Sequence, residues 1–151
     1  MNKIVLYTKS YSNDLERLKV SVESIKKYNK DNIPYYISVP SNEVSLFKNA
    51  LDSSYVNILS DDDIYSVDGQ SWKTQQIVKS SFWKLGLCEN YVMLDSDSYF
   101  IKDFRVTDFM YDETTPYTVM HEQKDLFGWT AKFKSILGFD PYGSFTEDRK
   151  K

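Results

Sequence analysis

Cysteine is nearly absent from this chain. Cys88 is the only one, so no disulfide forms within it, and the lone thiol points to a reducing compartment. Its apolar setting, Leu85-Gly86-Leu87-Cys88, suits a buried structural thiol rather than a nucleophile. Histidine is as scarce: with His121 alone, a zinc site built from Cys and His ligands is excluded. Glycine is low, at 5 residues, and none falls in Gly-x-Gly-x-x-Gly or Gly-x-x-x-x-Gly-Lys-Ser/Thr. The glycine-rich loops that cradle dinucleotides and nucleotide phosphates are therefore missing. A phosphate ligand would have to be met by a metal and by lysine or arginine. No apolar run approaches the roughly 18 residues of a transmembrane helix, and the stretch within Met1–Tyr7 is too short for a secretory signal. A positive balance is lacking too. The net charge of -3 argues against nucleic acid as a partner, and Arg149-Lys150-Lys151 reads as a frayed basic tail. These absences together predict a cytoplasmic protein; peripheral association with a membrane and a homo-oligomer both remain open.

What is present fits one globular domain over residues 1–151. Apolar residues make up 41% and charged residues 27%, the balance of a chain that folds around a core. The 12 Tyr, 9 Phe and 3 Trp are mostly assigned to that core. Ile4-Val5-Leu6-Tyr7-Thr8 is a continuous apolar run, suited to a strand covered on both faces. Asn13-Asp14-Leu15-Glu16 offers a helix cap, followed by Leu15, Leu18, Val22 and Ile25 at helical spacing as far as Tyr28-Asn29. Tyr35–Val39 reads as a second strand. Ser41 is placed to cap a helix through Leu51, with Val44, Phe47, Ala50 and Leu51 inward. Tyr55–Leu59 reads as a third strand, running into Asp61-Asp62-Asp63. A helix is expected over Trp72–Cys88, with Ile77, Val78, Ser81, Phe82, Leu85 and Cys88 inward. A fourth strand covers Tyr91–Leu94 and a fifth Tyr117–Met120, followed by a weakly patterned helix within Lys124–Leu137. This alternation predicts an α/β fold: a three-layer α/β/α Rossmann-like domain with a mostly parallel sheet.

In such sheets ligands bind beyond the carboxyl ends of the strands. The polar strand ends, Thr8-Lys9-Ser10, Asp61-Asp62-Asp63, Asp95-Ser96-Asp97 and His121-Glu122, would gather on one rim. Within Tyr91-Val92-Met93-Leu94-Asp95-Ser96-Asp97 an apolar strand ends in two aspartates spaced i, i+2. If the strand continues through them, both carboxylates share one side. Two carboxylates so placed call for a cation, and a divalent metal carrying a phosphorylated ligand suits them.

Here a resemblance becomes specific. Gln75-Gln76-Ile77-Val78-Lys79, a helix onward to Leu87, the strand into Asp95-Ser96-Asp97 and the step Tyr99-Phe100-Ile101-Lys102-Asp103-Phe104 resemble the central segment of GT-A fold glycosyltransferases. The match covers about residues 70–104. It implies a metal-dependent enzyme that takes a sugar from a nucleotide-sugar donor, a UDP- or GDP-sugar, to a saccharide or glycoconjugate acceptor, with Mn²⁺ or Mg²⁺ as cofactor. By the same resemblance Asp97 is the metal ligand, and Asp95 contacts the metal or the donor's ribose. Lys79 reaches the phosphates, Gln75 and Gln76 the donor sugar unless they close the first turn of their helix, and Thr8 and Lys9 the base and ribose. Asp62, within its acidic run, is the carboxylate for the base N–H, although such runs are commonly solvated loops. Trp72 is assigned to packing in preference to the sugar site. His121 is a further metal ligand in the same scheme, against the ordinary structural role of a lone histidine. Glu122 and Asp140 are the candidates for a catalytic base.

Beyond Asp97 stand residues 98–151, a short stretch for the acceptor half that this family carries. A non-catalytic nucleotide-sugar-binding module is accordingly the first alternative. A haloacid-dehalogenase-like phosphotransferase with Asp95 as nucleophile is the second, although there the aspartate pair belongs to the first strand rather than the fourth. A nucleotidyltransferase lacks its glycine-rich loop here.

Overall fold

A run of apolar residues without alternation can be satisfied only if both faces of its strand are covered. β1 (Asn2–Lys9) meets that demand at the centre of the molecule. The computed structural model describes residues 1–66 and 71–117, which lie within one compact unit, Met1–Tyr117. β1 pairs in parallel with β2 (Tyr35–Val39) on one side and with β4 (Cys88–Leu94) on the other. β3 (Val56–Ser60) extends the sheet beyond β2, giving the order β3-β2-β1-β4, all parallel. The α/β Rossmann-like layout expected from the alternating pattern is the observed one.

Side chains of β1 alternate between two cores. Ile4 and Leu6 point to the first, with Leu18, Val22 and Ile25 of α1 (Leu15–Tyr28) and Phe47 of α2 (Val44–Ala50). Val5 and Tyr7 point to the second, with Ile64 of α3 (Asp61–Ile64) and Val78 of α4 (Trp72–Ser81). Phe82 closes the second core. Its ring stacks on Tyr7 at 4.0 Å and meets Tyr91 edge-on at 5.2 Å. The segment after the aspartate pair folds back on α1. The Phe104 N–H donates to the Tyr28 carbonyl and its carbonyl accepts from Lys30, while Phe100 and Phe104 stack at 3.9 Å against the first core.

Several boundaries differ from the sequence expectation, each for a local reason. Asn13 does not cap α1: Ser12–Asp14 form a 3₁₀ turn, and Asp14 stands at the helix start with its carboxylate turned elsewhere. Ser41 likewise opens a 3₁₀ turn, Ser41–Glu43, and its hydroxyl bonds Asp62 instead of capping α2. The acidic run is not a solvated loop. Ser60 and Asp63 form a reciprocal capping box at the start of α3, where carboxylates also suit the positive end of the helix. α4 ends at Ser81 rather than Cys88. A 3₁₀ turn, Phe82–Leu85, is terminated by Gly86 in the left-handed region (φ 62°), and Cys88 already belongs to β4. Ile77, within α4, is exposed and Cys88, now on β4, is only half-buried, where both were expected inward. Of the expected fifth strand, Tyr117 donates its N–H to the Phe109 carbonyl; residues 118–120 and the helix expected within Lys124–Leu137 lie outside the described residues. Among the described residues no helix is long and apolar enough to cross a membrane.

The stacked and edge-on contacts of Phe82 fasten the turn that follows α4 to β1 and β4. Phe82→Ala is expected to cost about 3–5 kcal/mol in urea unfolding. A loss below about 1 kcal/mol would show that the second core does not depend on this ring.

Candidate functional site

In a parallel sheet of this order, α1 leaves β1 over one face and α4 runs toward β4 over the other, so a crevice opens between the carboxyl ends of the two strands. The register that pairs Thr8 with Leu94 brings Lys9 and Asp95 out on the same rim. A cleft of about 520 Å³ lies there, and its wall includes Lys9, Asp14, Arg17, Trp72, Gln75, Gln76, Lys79, Met93, Asp95, Ser96 and Asp97. That volume is in the range of small-molecule sites.

The aspartate pair is presented differently from the expectation. β4 ends at Leu94, and Asp95–Ser98 form a turn closed by the Ser98 N–H on the Asp95 carbonyl at 3.1 Å. The two carboxylates therefore share the cleft through a turn and not through strand alternation. Ser96, between them, is buried and donates its Oγ to Asp14 Oδ2 at 3.0 Å. This bond ties the start of α1 to the turn after β4 across the crevice, and it leaves Asp95 and Asp97 exposed at the cleft.

Each cation of the cleft already has an anionic partner. Lys79 Nζ lies 2.6 Å from Asp95 Oδ1; its side chain is 11% exposed and that of Asp95 68%. Lys9, its side chain 3% exposed, pairs with Asp61 Oδ2 at 2.8 Å and donates to the Ser10 carbonyl at 2.7 Å. Arg17 is held least: it stands 3.7 Å from Asp14 Oδ1 and its side chain is 70% exposed. Beside Lys9, the buried Asp61 Oδ1 and Ser10 Oγ have no hydrogen-bond partner among the described residues.

Lys9, Gln76, Lys79, Asp95 and Asp97, all expected at the site, are brought together. Two other expected contacts are not. The Thr8 side chain is buried and accepts a hydrogen bond from the Tyr35 hydroxyl at 2.9 Å, because strand alternation turns it into the first core, opposite to Lys9. Burial pushes the Tyr35 phenol up to about 12, so it stays a donor to Thr8. Asp62 bonds Ser41 and, through its N–H, Ser60; the acidic side chain that reaches Lys9 is Asp61. Trp72, expected to pack, is instead an exposed ring on the cleft wall. Ser71 caps α4 by accepting the Thr74 N–H at 3.2 Å, so Gln75 and Gln76 are not needed for that. His121, Glu122 and Asp140 lie outside the described residues.

Asp14, Arg17 and Ser96 were not anticipated as site residues. Their signal was positional: Asp14 and Arg17 follow the first strand and Ser96 the fourth, and the segments that leave the strands of a parallel sheet stand on its carboxyl rim. Among the described residues no group of three or more Asp, Glu, His or Cys side chains is arranged to hold a metal ion. Asp95 and Asp97 alone are a hard-oxygen pair. Such a pair suits Mg²⁺ or Mn²⁺ only as part of a complex in which phosphate and water supply the remaining ligands.

The model of DUF6492, a family of unknown function, matches residues 3–145. No curated protein matches the chain.

The Ser96–Asp14 bond should set the aspartate turn. Ser96→Ala is expected to cost about 1–2 kcal/mol and to speed hydrogen exchange of the Ser98 amide, read by NMR. Unchanged exchange would show that the turn holds without Asp14.

Proposed function

The chain belongs to the DUF6492 family, and we propose that it is a metal-dependent glycosyltransferase that takes its sugar from a UDP- or GDP-sugar. One observation carries this reading. The Asp95-x-Asp97 turn and Lys79 meet at the crevice between β1 and β4, where ligands of parallel α/β sheets bind. Charge supports it further. Three cations and three carboxylates line the cleft, Lys9, Arg17 and Lys79 against Asp14, Asp95 and Asp97, so it offers no net positive charge to a diphosphate. A doubly anionic ligand would be poorly held there unless it arrived with a divalent cation. The absence of a glycine-rich phosphate cradle points the same way.

Asp97 and Asp95 would hold Mn²⁺ or Mg²⁺, which, when bound, stabilises the charge that gathers on the departing nucleoside diphosphate. Arg17 is loosely paired and exposed enough to turn toward a phosphate. Gln75 and Gln76 offer both donors and acceptors to sugar hydroxyls, and the exposed Trp72 offers an apolar ring face to the sugar. Asp61, whose Oδ1 beside Lys9 has no hydrogen-bond partner among the described residues, would take the place of Asp62 as the carboxylate for the N–H of a base. A saccharide or glycoconjugate acceptor completes the scheme, with the base drawn from Glu122 or Asp140 and His121 as a further metal ligand. The lone Cys88 supports a cytoplasmic setting.

Thermal stability measured with UDP, GDP or CMP, each with Mn²⁺ or with EDTA, tests the reading. One uridine or guanosine diphosphate is expected to raise the melting temperature only with metal, and Asp97→Ala should abolish the rise while leaving the free protein unchanged. No rise with any nucleotide would sink the proposal. Metal-dependent hydrolysis of the matching nucleotide-sugar separates an enzyme from a binding module, which would bind without turnover.

A further inference from the structure

We infer that Lys79 stands in for the metal when the cleft is empty, so that metal and nucleotide bind with strong positive coupling; this rests on the glycosyltransferase reading of the same cleft. Two independent observations carry it. The first is the donor set. Asp95 and Asp97 are the carboxylates of the turn, and among the described residues no third His, Cys, Asp or Glu joins them in a metal-holding group. Two carboxylates leave most positions of an octahedral ion to water or phosphate, so Asp95 and Asp97 by themselves hold the ion weakly. The second is Lys79 itself. Its Nζ sits 2.6 Å from Asp95 Oδ1, where it neutralises the very carboxylate the ion would use. A buried ammonium keeps a partner wherever one is within reach, and Lys79 has little solvent to turn to.

A divalent ion arriving alone must therefore compete with Lys79 for Asp95 and strand the ammonium. A diphosphate arriving alone meets exposed carboxylates and a lysine already engaged. When both arrive, the phosphates take Lys79 as their counterion and Asp95 is released to the ion. Both displaced charges then find a partner in the same event. The Tyr91 hydroxyl donates to the Lys79 carbonyl at 3.3 Å, which holds the backbone of α4 while the side chain turns. Each ligand should raise the affinity of the other by the same factor.

Manganese binding followed by electron paramagnetic resonance, in which the free aqua ion is read directly, tests this without any turnover. The wild-type chain is expected to bind Mn²⁺ weakly alone and at least about tenfold more tightly with saturating UDP or GDP. Lys79→Met should bind Mn²⁺ alone several-fold more tightly than the wild type and lose most of the coupling. Asp95→Asn removes the same ion pair from the other side and should show no such gain, because it removes the ligand as well. Lys84→Met, at a lysine packed over Tyr65, deletes the same charge away from the cleft and should leave Mn²⁺ affinity unaltered. Equal Mn²⁺ affinity in Lys79→Met and wild type would overturn the inference, as would an equal gain in Lys84→Met. If the wild type binds no nucleotide at all, the glycosyltransferase reading fails. The Mn²⁺-only comparison of Lys79→Met with wild type still decides whether Lys79 competes for Asp95.

Discussion

The two-sided burial of β1 is the constraint on which the rest of this structure depends. Val5, Leu6, Tyr7 and Thr8 are wholly inaccessible to water, and a strand with no wet face must carry neighbours on both edges and helices on both faces. β2 and β4 take the edges, α1 and α2 one face, α3 and α4 the other. Polar side chains then have one exit, the carboxyl rim, and the fold gathers them there. The crevice between β1 and β4 is a consequence of this arrangement, because the helix that leaves β1 and the helix that leads into β4 lie on opposite faces.

At that rim the dominant quantity is charge balance. Lys9, Arg17 and Lys79 each face a carboxylate, so each of these cations is neutralised without a ligand. Neutrality keeps the buried lysines stable, and it also means that a ligand must exchange partners rather than fill a vacant charge. The three pairs differ in how readily they open. Lys9–Asp61 is the most buried and serves as framework, Arg17–Asp14 is long and exposed, and Lys79–Asp95 joins a buried cation to an exposed anion. The Ser96–Asp14 bond holds this arrangement across the crevice, tying residues 82 positions apart in sequence.

Much of the fold was legible in the residues. β2 falls on the expected Tyr35–Val39, and the unbroken apolar run of β1 announced a central strand. Errors fell at helix ends, where capping depends on which partner a side chain finds. Asp14 and Ser41 are good caps in isolation but are claimed by Ser96 and Asp62. Gly86, read as part of a helix, ends the 3₁₀ turn that follows α4. At the site, Lys9, Lys79, Asp95 and Asp97 were legible because strand ends and the adjoining helix stand at the rim in any such sheet. Thr8 and Asp62, expected at the site, stand away from the cleft for the opposite reason. Neighbours on a strand face opposite ways, and which of three consecutive aspartates reaches Lys9 is set by the turn of α3.

The sequence alone determined the layered α/β architecture, since periodicity and apolar continuity are local properties that only one arrangement satisfies. It also placed an aspartate pair at a strand end and excluded glycine-rich phosphate loops. Only the tertiary structure decided the pairing of charges. Lys79 with Asp95, Lys9 with Asp61 and Ser96 with Asp14 are contacts between elements far apart in the chain. Electrostatic partners are chosen by distance in space, which the strand order β3-β2-β1-β4 sets and no local pattern encodes.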